Sequence, residues 1–161
     1  MQVVEIAHKA GARVILNPAP ARPVPDEFYK KIDIVTPNET ETKGMVGIYP
    51  NDLDSCRKSA EAFFAKGVKQ VVLTLGENGY YANDGKTEVM MPAYKVNAVD
   101  TTGAGDCFSG SFAARLAVGD NFFDAAKFAS AASALSVTKP GAAVSMPYLD
   151  DVLKLMKEQP M

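Results

Sequence analysis

The chain has 161 residues, 47% of them hydrophobic and 22% charged, with a formal net charge of −2. That is the balance of an ordinary globular protein with a sizeable core, and it excludes a disordered or collagen-like chain. The lack of a basic surplus argues against nucleic acid as a partner, and no apolar run reaches the roughly 18 residues of a membrane span. Met1 to Ala10 carries Glu5, His8 and Lys9 among apolar residues and does not read as a secretory leader. Cys56 and Cys107 are far apart, with neither metal-ligand spacing nor a disulfide framework, which suggests a reducing cytoplasm.

In chain order, Gln2 to Ala10 reads as a helix with Val3, Ile6, Ala7 and Ala10 on one face and Gly11 as its stop. Arg13 to Asn17 is a strand of the buried type, ended by Pro18-Ala19-Pro20. The chain would thus open inside an α/β unit, on a helix that no strand precedes. Asp26 to Lys30 could form a short helix, and Ile32 to Thr36 a second strand. Thr36 or Asn38 can cap the helix that follows. Ser55 to Ala65 is amphipathic and stops at Gly67; Val71 to Leu75 is a third strand, with Gly76 to Gly79 as its turn. Tyr80 to Asn83, the turn Asp84-Gly85, and Thr87 to Met91 read as a hairpin, and Lys95 to Val99 as extended. A helix follows to about Leu116. Asp120 is placed to cap a long helix from Asn121 to Val137, Lys139 to Ala143 is a loop, and Tyr148 to Glu158 is the last helix. Helices alternating with apolar strands predict an α/β chain, mainly of parallel strands with a hairpin added, forming one domain over residues 1–161.

The chemistry concentrates in Asp100-Thr101-Thr102-Gly103-Ala104-Gly105-Asp106. A glycine-containing loop that opens a helix turns backbone N–H groups and a positive dipole end toward an anion, most often phosphate. Asp106 stands at the mouth of that turn, where a carboxylate would repel a phosphate unless it had a task. Taking a proton from an attacking hydroxyl is such a task. The plain alternative is a tight loop whose glycines only permit positive φ. There is no GxxxxGK[ST] and no GxGxxG, so the charge must be met by amides, the dipole and a metal.

Asn38 and Glu41 follow an apolar strand, at the end where open α/β sheets bind ligands. An amide and a carboxylate can order hydrated Mg²⁺, or they can simply cap a helix. Thr74, Gly76, Glu77 and Gly79 again follow a strand, as a ligand-approach loop or as a hairpin entry turn. His8 reads as a surface residue and Cys107 as a packed thiol. Asp100 could be only a turn residue, and Lys139 to Ser145 only a connector.

Taken together and in order, these pieces resemble the C-terminal half of the ribokinase-like (PfkB-type) sugar kinases. Asn17-Pro18-Ala19-Pro20, the Pro37 to Glu41 segment, Thr74-Leu75-Gly76 with Gly79, and Lys139-Pro140-Gly141-Ala142 are supportive. Asp100 to Gly110 resembles the signature D-T-T-G-A-G-D-x-F-x-G at every defined position. The resemblance implies the three-layer α/β/α ribokinase-like sheet. It implies ATP-dependent phosphorylation of a sugar hydroxyl, with D-ribose to D-ribose 5-phosphate as the reaction. Asp106 would be the base, and Gly103, Ala104 and Gly105 the anion hole. Asn38 and Glu41 would lie near Mg²⁺ and the phosphates, and Thr74, Gly76, Glu77 and Gly79 would line the ATP site. A monovalent cation, K⁺, would use Asp100 and carbonyls near Thr102, Ser136, Lys139 and Gly141, with Ser145 close by. The small face of Ala129, Ala132 and Ser133 would meet adenine.

A whole family member has about twice this length, and the chain carries no G-G-x-x-x-N sugar motif. The substrate and lid part is thus expected to be absent. Two expectations follow. The chain is a catalytically incomplete ATP-binding module, or it works with the missing half supplied. An uncovered strand edge near Arg13 to Asn17 would recruit a second copy, giving a homo-oligomer.

Overall fold

A computed structural model describes residues 2–161. They form two compact units: residues up to Gly76 together with Tyr80–Met90, and Glu77–Gly79 together with Met91–Met161.

The first unit carries α1 (Gln2–Lys9), β1 (Ile15–Leu16), α2 (Asp26–Tyr29), β2 (Ile34–Val35), α3 (Glu39–Val46), α4 (Leu53–Ala65), β3 (Gln70–Thr74), β4 (Tyr80–Asn83) and β5 (Glu88–Met91). The strands lie in the order β1-β2-β3-β4-β5, with β1 to β3 parallel and β4 antiparallel to β3. The mixed α/β sheet is the expected class. The hydrogen-bonded parts of β1 and β2 are two residues each, shorter than their apolar runs. The chain ends of β2 are instead held by single bonds, Asp33 N to Val14 O at 3.0 Å and Thr36 N to Leu16 O at 2.9 Å.

α4 begins two residues before the expected Ser55. Asp52 Oδ1 accepts from Ser55 N at 2.7 Å, and the Ser55 hydroxyl oxygen accepts from Asp52 N at 3.0 Å, closing a capping box. The buried face of α4 sets Cys56, Ala60 and Phe63 against Val35, Val71, Leu73 and Tyr81 of the sheet, with Tyr29 and Ile32 completing the cluster. Phe63 is fully buried, which contributes about 2–3 kcal/mol. Cys56 is also fully enclosed; burial, with Asp52 and Glu39 adding to it, pushes its thiol up to about 11, so it stays protonated and unreactive.

Asp33, at the start of β2, binds three donors that sequence spacing does not reveal. Its carboxylate accepts from Lys69 Nζ at 2.6 Å, from the Val14 amide at 2.8 Å and from His8 Nε2 at 3.1 Å. His8 is exposed as expected, yet its ring reaches this group. Burial by itself raises the Asp33 carboxyl, but the bonds from Lys69, Val14 and His8 outweigh it and hold the group below its ordinary 3.8. A carboxyl depressed in the folded state contributes stability that is full above its unfolded value and fades as pH falls through the folded one. Asp33→Ala is therefore expected to cost about 1–2 kcal/mol at pH 7, since the exposed Lys69 is screened by water. Melts followed by circular dichroism should show the gap to wild type narrowing below about pH 4. A gap independent of pH would disprove the assignment.

The second unit carries α5 (Ala104–Ala117), α6 (Phe122–Ser136) and α7 (Leu149–Glu158). α5 packs along α6, and α6 against α7. Phe112 is fully buried, with Phe108 at 6.2 Å between ring centroids and Phe122 edge-on at 5.8 Å. Asn121, not Asp120, caps α6: its side chain accepts from Phe123 N and Asp124 N. Asp120 is held instead by a two-pronged pair with Arg115, at 2.6 and 3.0 Å. Lys95 to Val99 forms no strand. Its Lys95 amide and carbonyl are taken by the side chain of Gln159, at 2.9 Å each, so no ladder is needed there. Among the described residues no helix is long and apolar enough to cross a membrane.

Candidate functional site

In the first unit, the chain leaving β2 runs beside the end of β3. Asn38 bridges Thr74 in parallel register, and Thr74 N donates to Pro37 O at 3.0 Å. The sheet thereby joins two of the candidate segments at the carboxyl ends of neighbouring parallel strands, the ligand-binding end of such sheets. Asn38 and Glu41 form a reciprocal capping box for α3. Asn38 Oδ1 accepts from Glu41 N at 2.8 Å, and Glu41 Oε2 accepts from Asn38 N at 2.9 Å. The helix-cap reading of this pair is thus what the structure displays. The box holds both side chains in place, and the second carboxylate oxygen of Glu41 takes no part in it. Gly76 follows β3 at φ +53, a left-handed conformation suited to glycine.

In the second unit, Glu77 is exposed and Gly79 (φ +95) runs directly against the backbone of Met91 to Ala93. The signature turn is built by Asp100. One carboxylate oxygen accepts from Thr102 N at 2.9 Å and the other from Gly141 N at 2.8 Å. The bonds from the Gly141 amide and from Thr102 lower this carboxyl to about 2, so it is charged at any physiological pH. Asp100 is therefore more than a turn residue: it ties the turn before α5 to the loop after α6. That loop lies close over Gly103, whose missing Cβ would stand 3.1 Å from Ala142 Cβ. Gly103 caps α5 at φ +78.

The first turn of α5 then presents its free amides. Ala104 N reaches Thr101 O at 3.2 Å and Cys107 N reaches Gly103 O at 2.8 Å. Between them, the Gly105 and Asp106 amides have no acceptor among the described residues, as helix starts require. Both residues are exposed, and a Cβ at Gly105 would meet nothing within 4 Å. A small open cradle of two N–H groups at a positive helix end, with the Asp106 carboxylate beside it, can hold an anion and place a base next to it.

Across the loop, Ser145 is buried and donates to Ala142 O at 2.7 Å, and Ser136 is buried and donates to Ser133 O at 2.8 Å. Gly141 lies at φ +90, and Lys139 is exposed. Of the five residues expected beside Asp100, hydrogen bonds join Thr102 and Gly141 to it, while Ser136 and Ser145 bond carbonyls of Ser133 and Ala142 instead. Ala129 and Ala132 are buried, so those members of the small-residue face serve helix packing rather than an open adenine surface. Ser133 bonds across to Ala104 O, a contact that no sequence spacing reveals. The Cys107 thiol is buried and free, as expected, and burial raises it.

The sequence model of the pfkB family carbohydrate kinases matches residues 1–149. The chain belongs to the pfkB family of carbohydrate kinases. This pfkB chain is 44% identical over 149 residues to a ribokinase of Staphylococcus aureus, covering 92% of itself and 49% of that protein. It is 38% identical over 148 residues to a deoxyribokinase of Salmonella typhi, covering 91% of itself and 48% of that protein. Among solved structures, an Arabidopsis thaliana ribokinase complexed with ribose and ATP superimposes with a TM-score of 0.91 at 36% identity, over 97% of this chain and 51% of that one. The ribokinase fold is therefore that of this pfkB chain, which spans about half the length of the curated relatives it matches.

Proposed function

We propose that this chain supplies the ATP-binding and proton-accepting part of an ATP-dependent sugar kinase that acts on a primary hydroxyl, with D-ribose as the substrate. The observation that carries the reading is the first turn of α5, where two unpaired amides adjoin the Asp106 carboxylate. Gly103 sets the turn and the Ala104 N–H is taken by Thr101 O, so of the expected Gly103, Ala104 and Gly105 donors it is Gly105, together with Asp106, whose N–H would meet the transferred phosphoryl group. Charge that grows on the phosphoryl oxygens is stabilised by these fixed dipoles at no cost of reorganisation. Asp106 takes the proton of the attacking hydroxyl as the new P–O bond forms, and the bond to ADP breaks. Thr74, Gly76, Glu77 and Gly79 bind the nucleotide. Asn38 and Glu41 would hold hydrated Mg²⁺, which supplies neutralisation of phosphate charge when bound. Asp100, with carbonyls near Thr102, Ser136, Lys139 and Gly141 and with Ser145 close by, would hold K⁺ behind the turn. The pair of free, buried thiols fits a reducing cytoplasm.

A second reading is an ATP-binding module without turnover. Over residues 1–161 no G-G-x-x-x-N sugar motif occurs, which fits that reading. Phosphoryl transfer needs both reactants within near-attack distance, so this chain alone should bind ATP and phosphorylate sugar weakly or not at all. Calorimetry with ATP, with and without ribose, 2-deoxyribose, Mg²⁺ and K⁺, separates the readings. ATP heat that no sugar alters supports the module; a ribose-dependent change supports the kinase; absence of ATP binding refutes both.

We further propose self-association. Among the described residues β1 has a neighbour on one side only, and α1 exposes Val3 and Ile6 in the same unit. A second copy covering that edge gives a homodimer or larger assembly. A monodisperse monomer in light scattering would count against it.

A further inference from the structure

The amide that joins Ala104 to Gly105 has two ends with separate fates. Its N–H, on Gly105, faces the open cradle. Its oxygen, on Ala104, accepts the hydroxyl of Ser133 from α6 at 2.9 Å. This bond is unusual for a serine in mid-helix. Such hydroxyls commonly turn back to a carbonyl of their own helix three or four residues earlier. Ser59, Ser136 and Thr138 do so here, at 2.7, 2.8 and 2.7 Å. Ser133 instead leaves its helix and reaches the first turn of the neighbouring one. The next hydroxyl along, that of the buried Ser136, turns back to Ser133 O at 2.8 Å. The Ser133 hydroxyl thus ties α6 to the first turn of α5, directly before Gly105 and Asp106.

A donor on a carbonyl oxygen draws electron density toward that oxygen and leaves the N–H of the same amide a stronger donor, a cooperative gain of about 10–30% per bond. We propose that Ser133 is a positioning residue for the anion cradle: its hydroxyl polarises the Ala104–Gly105 peptide and fixes the Gly105 N–H toward bound phosphate. This rests on reading the turn as the phosphate site. Ser133 does not touch the ligand in this assignment; it acts through Gly105.

The test uses the ¹⁵N-labelled chain titrated with Mg·ATP, read at individual amides. In wild type, the Gly105 and Asp106 amides should shift with ATP. In Ser133→Ala the Gly105 amide proton should move upfield before any ligand is added, and ATP should bind about two- to tenfold more weakly, the range of one lost hydrogen bond. Ser133→Thr, which keeps the hydroxyl, should restore both. A purely structural serine would lower the melting temperature of Ser133→Ala while leaving the Gly105 resonance and the affinity unchanged, and that result overturns the proposal. A wild-type turn that does not respond to ATP removes the phosphate reading itself, and this assignment falls with it.

Discussion

Asp106→Asn is expected to lower phosphoryl transfer by about 10²–10⁴-fold, the usual share of a positioned general base, in an enzyme reconstituted from this chain and the complementary half of a pfkB kinase. Asn keeps the size and the planar end of the side chain but cannot accept the hydroxyl proton. The residue is exposed, and no other side chain depends on it for a partner among the described bonds, so the fold should be unaffected. Removing a negative charge beside the phosphate-binding amides should leave ATP affinity equal or somewhat higher. The two measurements are a coupled assay for ADP release and calorimetry with ATP. Loss of ATP binding in the variant would recast Asp106 as a structural residue and remove it from the chemistry.

Gly79→Ala is expected to be the most damaging single change to the fold. Gly79 lies at φ +95, and a Cβ there would stand 2.0 Å from Met91 O, 2.5 Å from Pro92 C and 2.7 Å from Ala93 N. All three atoms belong to backbone, so no side-chain rotation relieves the clash. The left-handed strain and the overpacking together should cost about 3 kcal/mol or more, enough to unfold a marginal chain. Urea denaturation and soluble yield report it directly. Gly105→Ala is the matched control. Its Cβ would meet nothing within 4 Å, and Gly105 has no positive φ. Its stability should stay within about 1 kcal/mol of wild type or rise, because alanine is the better helix former. If Gly79→Ala melted like wild type, the close approach of residues 79 and 91–93 would be wrong.

These two glycines show where sequence reading stops. Both stand in motifs that resemble the family, and spacing alone gives them the same rank. The resemblance implies that Gly79 lines the ATP site, and the fold adds a reason for glycine there that involves no ligand. Gly105 needs no special backbone, and its reason is the open space in front of it. The distinction lies in which backbone passes within 3 Å, a long-range fact that composition and periodicity do not carry.

The same division runs through the elements. The long helices and the apolar strands were legible because periodicity and capping chemistry are local. Asn38 capping α3 is one such case, and Gly67 directly after α4 is another. Lys95 to Val99, expected to be extended, joins no sheet, and the Lys95 backbone is met by the side chain of Gln159, 64 positions away. Asp120 was misplaced as a cap for a related reason. Arg115 outbids it for the carboxylate, and Asn121 then serves the helix.

What the sequence determined by itself is the chemistry on offer: the run Asp100 to Asp106, the Asn38 and Glu41 pair, the glycines after the strands, and membership of the α/β class. These follow from residue type and local spacing, which set dipoles, caps and turns without reference to distant chain. What only the tertiary structure decided is how that chemistry is held. Asp100 spans from Thr102 to Gly141, Ser133 reaches the Ala104 carbonyl, and Asp33 gathers His8, Lys69 and the Val14 amide. Each is a contact between groups 19 to 41 positions apart, apart from the local Thr102 bond. Hydrogen bonds are short-ranged and directional, so they exist only once packing has brought donor and acceptor to within about 3 Å.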